Sequence, residues 1–185
     1  MVGWIVLGII VLFFVWVTVT YNKLVRLQVR AEEAWRAIDT LLRKRADLIP
    51  NLVETVKGYA GHEREIFEKI AQARAASLGA KTPREQAEAD NALRETLKTL
   101  FAVVENYPDL KANENFLALQ KSLEGVEEEL ARSRRYYNAV VRDLNYAIRA
   151  FPQNLVARLF RIEGREFYML PDEALAEPPK VSFTR

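Results

Sequence analysis

The first twenty residues, Met1 to Thr20, carry no charged side chain and run without a breaker into Tyr21-Asn22-Lys23-Leu24-Val25. Between Gly8 and Pro50 there is neither glycine nor proline, so nothing forces a joint after the apolar stretch. Twenty helical residues at 1.5 Å each reach roughly 30 Å, the thickness of a bilayer's hydrocarbon core. Trp4 stands near one end and Trp16 and Tyr21 near the other, as interfacial aromatics do. A cleaved signal peptide would open on basic residues and close on an Ala-x-Ala-like site. This chain opens Met1-Val2-Gly3-Trp4 and leaves the apolar run through Val17-Thr18-Val19-Thr20. The expectation is an uncleaved single-pass anchor over residues 1–20.

No Lys or Arg precedes this span, whereas Lys23, Arg26, Arg30 and Arg36 follow it closely. The positive-inside rule then places the N-terminus outside the cell membrane and the remainder in the cytoplasm.

Beyond the span the chain reads as helical. Half its residues are hydrophobic, 28% are charged and seven are Gly, a mix that suits helices better than sheets or disorder. Leu27, Ala31, Ala34, Ile38, Leu41, Arg45 and Leu48 alternate by four and three, with Trp35 and Leu42 widening the stripe. Asp47-Leu48-Ile49-Pro50 interrupts it. Proline lacks an amide hydrogen, so a helix boundary near Ile49 is expected, with Asp47 capping a second helix that Pro50 opens. The alternative is one helix kinked at Pro50.

Leu52, Val56, Tyr59, Glu63, Ile66, Ile70 and Ala73 continue the periodicity to Gly79. Thr82-Pro83-Arg84-Glu85 is a capping-box start for a third helix, which Pro108 ends. A fourth stripe runs from Phe116 to Phe151, with Ser133 its one polar member, and Pro152 closes it. Four helices with short connections and one apolar face each predict an all-α fold, an antiparallel four-helix bundle over residues 21–152. Its helices would cover about 21–48, 50–78, 83–107 and 110–151, the first continuous with the transmembrane helix. Residues 153–185 would be partly extended or disordered.

Charge is segregated along the fourth stripe and its exit. Glu124, Glu127, Glu128 and Glu129 precede Arg132, Arg134, Arg135, Arg142, Arg149, Arg158, Arg161 and Arg165. This suits the helix dipole, and it also offers a basic end to an anionic leaflet. Leu155, Leu159 and Phe160 beside Arg158 and Arg161 form a candidate membrane contact, a short interfacial helix. The lipid bilayer is therefore one expected partner. The formal charge of +2 gives no ground for nucleic-acid binding.

Catalytic signals are weak. Without cysteine there is no thiolate site, and His62 is the one histidine. His62-Glu63 is half of H-E-x-x-H, but Ile66 stands where the second histidine belongs. A carboxylate-bridged di-iron bundle needs two Glu-x-x-His motifs. No Gly-rich phosphate loop or nucleophile elbow is present. No catalytic residue, metal or cofactor is expected, and His62 reads as a hydrogen-bonding residue. Asn22, Asp39, Asn51, Glu63, Asn138 and Asn145, with Arg45, read as polar residues that fix helix register, with a ligand or peptide groove as the alternative, and Asp47 as a cap.

Tyr21-Asn22-x-Leu24-Val25, Glu33-Ala34-Trp35-x-x-Ile38-Asp39, Asp47-Leu48-Ile49-Pro50-Asn51-Leu52-Val53, Tyr59-Ala60-x-His62-Glu63, Tyr107-Pro108-x-Leu110-Lys111-Ala112-Asn113-x-Asn115-Phe116 and Tyr137-Asn138 resemble the LemA family in collinear order. Two places depart from it. Leu144-Asn145 stands where the family usually repeats Tyr-Asn, and Phe160-Arg161-Ile162 replaces Phe-Gly-Phe. The resemblance implies a bacterial single-span membrane protein with a cytoplasmic four-helix bundle and no established catalysis. It also implies that some relatives help organise bacterial membrane compartments and that others are encoded near membrane proteases. The function expected is a non-enzymatic interaction or membrane-organising module with unidentified membrane or cytoplasmic protein partners. A ligand- or peptide-sensing bundle signalling through a rigid first helix is the alternative. Oligomeric state is not legible.

Overall fold

Helix α1 (Val2–Lys57) runs from the apolar N-terminus straight through Pro50. A computed structural model describes residues 1–169, and all their regular structure is helical. After α1 come α2 (Arg64–Gly79), α3 (Pro83–Val104), the single turn α4 (Pro108–Lys111), α5 (Glu114–Ala147) and α6 (Gln153–Leu159). Six helices thus stand among the described residues where four were expected, and each difference has a local cause.

The boundary expected at Ile49 is absent. Pro50 cannot donate to the carbonyl of Ala46 one turn back, but Arg74 donates to that oxygen from Nε at 2.6 Å. Pro50 itself is exposed, and the helix continues through it. The break falls instead at residues 58–63, where Gly58 and Gly61 lie three apart and favour leaving the helix. The amides of Tyr59 and Ala60 both turn back to the carbonyl of Val56, closing α1.

The expected fourth helix starts later and ends earlier. Pro108 opens α4, a single turn that buries Leu110. Asn113 then caps α5, its Oδ1 accepting the amide of Phe116 at 3.1 Å. At the other end the helix stops at Ala147, and turns lead into α6. The capping box at Thr82 and Glu85 forms as the tetrapeptide predicts.

The chain divides into two compact units, residues 1–41 with 128–167, and residues 42–127 with Tyr168. In the second, Leu52 and Val56 of α1, Ile70 of α2, Leu93 and Leu100 of α3, Leu110, and Phe116 of α5 share one core. In the first, Leu24 of α1 packs with Ala147 and with Val156 and Ala157 of α6, and Trp16, Val17, Leu27, Ile148 and Ile162 surround them. Higher up the same unit, the rings of Trp35 and Tyr137 lie 5.6 Å apart.

Residues 162–169 carry no regular structure but are tied down. Asn145 grips the backbone of Arg165 on both sides: Nδ2 donates to its carbonyl at 2.9 Å, and Oδ1 accepts its amide at 3.0 Å. Tyr137 Oη donates to the carbonyl of Glu166 at 2.9 Å. Gly164 fits beneath this grip, because a Cβ there would overlap Asn145 Oδ1 and come within 3.1 Å of Ile148 Cδ1. The rest of the expected tail, from residue 170, lies outside the described residues.

Candidate functional site

The apolar N-terminus projects with no protein cover. Every residue from Met1 to Val15 is exposed, Phe14 at 64% and Leu12 at 70%. Soluble proteins rarely leave more than a few hundred Å² of contiguous apolar surface in water. At roughly 25 cal/mol per Å² the exposure of such a stretch is costly unless an apolar medium surrounds it. Among the described residues one helix is long and apolar enough to cross a membrane, and none of its apolar window is buried. A soluble core helix of like composition would be mostly covered.

Where the exposed stretch ends, α6 packs against α1. The rings of Tyr21 and Phe160 lie 4.5 Å apart. Val156 and Ala157 face inward, while Leu155 (54% exposed), Leu159 (72%) and Phe160 (46%) face out with Arg158 and Arg161. Arg161 adopts φ 53, in the left-handed region that favours glycine. That is the position at which the resembled Phe-Gly-Phe carries its glycine. Beside α6, Arg142, Asn145, Tyr146, Arg149, Phe151 and Phe167 line a groove of about 540 Å³.

The second unit holds a buried ionic cluster. Arg45, fully buried on the seam of α1, donates from Nη1 to Asp90 of α3 and, at 2.8 Å, to Glu127 of α5. Tyr168 Oη donates to the other oxygen of Asp90 at 2.9 Å. Burial works against the charge of Arg45, but the two carboxylates outweigh it and raise its pKa above the ordinary arginine value. A guanidinium so held stays charged and cannot act as an acid or base; it ties three helices together. Among the described residues no group of three His, Asp or Glu side chains could hold a metal ion.

The polar positions singled out from sequence are scattered. Asn22 and Asn51 are exposed, and Asp47 lies 4.0 Å from Arg74. His62 is exposed and shares a 2.7 Å hydrogen bond with Tyr107 Oη, and its Nε2 lies 3.9 Å from Glu63. Asp39 and Asn138 are half-buried in the first unit and engaged with neighbours. Asn145 holds the backbone of Arg165. Sequence reasoning missed Asp90 and Tyr168, and took Glu127 only as one of an acidic run. The signal was present in Asp90, a carboxylate three residues before Leu93 on the buried stripe of α3, when Arg45 occupies the stripe of α1.

The fold and these surfaces define an all-helical protein with one candidate membrane span and a remainder braced by buried polar contacts. The chain belongs to the LemA family, whose model matches residues 34–183. It is similar to Protein LemA of Metamycoplasma hominis, 28% identical over 157 residues that cover 83% of this chain and 70% of that one. It is also similar to magnetosome protein MamQ of Magnetospirillum gryphiswaldense, 21% identical over 86% of this chain and 68% of that protein. Magnetosome protein MamQ 2 of Paramagnetospirillum magneticum is 22% identical over the same shares.

Proposed function

We propose that this protein is a non-enzymatic, membrane-anchored module whose soluble part, an antiparallel four-helix bundle, recruits or organises other proteins at the cytoplasmic face of the membrane. One observation carries the reading. A single helix passes without a break from wholly exposed apolar residues to a seam of buried ones, Leu24, Ala31, Ala34 and Ile38. Lys23, Arg26, Arg30 and Arg36 just past the span support the cytoplasmic side. The similarity to proteins named for the magnetosome fits a role in a membrane compartment, which the resemblance implies for some relatives.

Crosslinking in intact membranes, read by mass spectrometry, tests it. The full chain is compared with one lacking Met1–Thr20. Protein neighbours that disappear with the anchor support an organising module; a neighbour set that does not depend on the anchor overturns it.

A further inference from the structure

We propose that α6 is a second membrane contact, a short interfacial helix that docks the first unit onto anionic phospholipid. The inference rests on the anchoring read above. α6 is held against α1 at the level where the exposed apolar stretch ends, through Leu24, Trp16, Val17 and the Tyr21–Phe160 ring pair. A lipid surface that receives residues 1–15 therefore lies beside α6. Toward it the helix offers Leu155 and Leu159, one turn apart, with Phe160 and the 80% exposed Phe151 alongside. Four large apolar side chains on so short a segment are out of place in water and in place at the boundary of headgroups and acyl chains.

The charge pattern selects the lipid. Arg158 lies between the two leucines, and Arg149 lines the groove that also contains Phe151. An arginine beside apolar side chains buries its stem and holds its guanidinium at phosphate height, where the planar fork takes phosphate oxygens. Each basic residue near an anionic leaflet strengthens partitioning by about fivefold at moderate salt.

The absence of cysteine permits single-site labelling of the full chain. Leu159→Cys and, separately, Val11→Cys carry an environment-sensitive fluorophore. Each protein is reconstituted into vesicles of phosphatidylcholine alone or mixed with phosphatidylglycerol. Quenching by doxyl-labelled lipid reports contact with the acyl region; quenching by aqueous iodide reports exposure to water. The expected result is doxyl quenching at both sites in the anionic vesicles. At position 159 this contact should fall by about fivefold for each of Arg149→Gln and Arg158→Gln, and should weaken with added salt. Arg161 is left in place because its backbone is strained. The salt series on the protein with all its arginines gives an answer even if a substituted chain folds poorly.

Doxyl quenching at Val11 with iodide quenching at 159 overturns the second contact and leaves the anchor standing. A label at 159 shielded from both quenchers means that a second copy or another protein covers the face, and also overturns it. Equal contact in phosphatidylcholine alone overturns the anionic requirement. Loss of doxyl quenching at Val11 refutes the anchor, and the proposal falls with it.

Discussion

Arg74 donates from Nε to the carbonyl of Ala46 at 2.6 Å, the oxygen that the ring of Pro50 leaves without its backbone donor. A proline inside a helix usually ends or bends it, at a cost of about 3 kcal/mol. Here a side chain from the next helix takes the place of the missing amide.

The two residues should therefore be coupled. Arg74→Met removes the donor and should destabilise the protein by about 1–3 kcal/mol, the cost of a buried acceptor left without a partner. With Pro50→Ala in place, the backbone amide returns to Ala46 and the same Arg74 substitution should cost about 1 kcal/mol less. Thermal melts of the four proteins in detergent close the cycle; equal costs in both backgrounds would show that Arg74 acts only through its 4.0 Å approach to Asp47.

Arg45→Met strips the buried positive charge from Asp90 and Glu127 and should cost about 3–5 kcal/mol. Adding Asp90→Leu to it removes the stranded carboxylate and should recover much of the loss. Tyr168→Phe deletes one neutral-to-charged hydrogen bond and should cost about 1.5–3 kcal/mol.

Arg161→Gly should stabilise the protein by about 0.5–1 kcal/mol. Relief of a left-handed arginine at φ 53 is worth about 1–2 kcal/mol, and the greater freedom of glycine in the unfolded chain takes part of that back. A lower melting temperature would mean that the arginine side chain itself holds the end of α6.

Below the ordinary glutamate range the start of α3 should loosen. The amides of Lys81 and Thr82 hold the Glu85 carboxyl below its usual pKa. A group with a depressed folded-state pKa contributes stability above its unfolded value, about 4.3, and that stability is lost as pH falls through the lower folded value. Glu85 is exposed, so the effect is local: the protection of the Gln86 and Ala87 amides, relative to their intrinsic exchange at the same pH, should fall in acid, and Glu85→Gln should remove that acid limb.

Periodicity exposed the amphipathic stretches of the long helices, because burial against a neighbour imposes the 3.6-residue repeat on the residues themselves, and the apolar N-terminus was legible from its unbroken run without charge. The helix ends were less legible. Pro50 carries a local breaking signal that a residue 24 positions away cancels, and nothing near Pro50 announces Arg74. Gly58 and Gly61 were hidden for the opposite reason: the apolar repeat continues through Tyr59 and Glu63 while the backbone leaves the helix. Arg45 could be placed on a seam from spacing alone, but its carboxylate partners lie on other helices and required the fold.

The Tyr168–Asp90 hydrogen bond joins residues 78 positions apart in the chain. A ribosome releases Arg45 and Asp90 long before it reaches residue 168, so the helices bearing them can pair while the downstream chain is still being made. Tyr168, whose hydroxyl donates to Asp90, is made after the other members of that cluster. A nascent chain stalled before Tyr168 should already protect the amides around Arg45, yet exchange them faster than the released protein does.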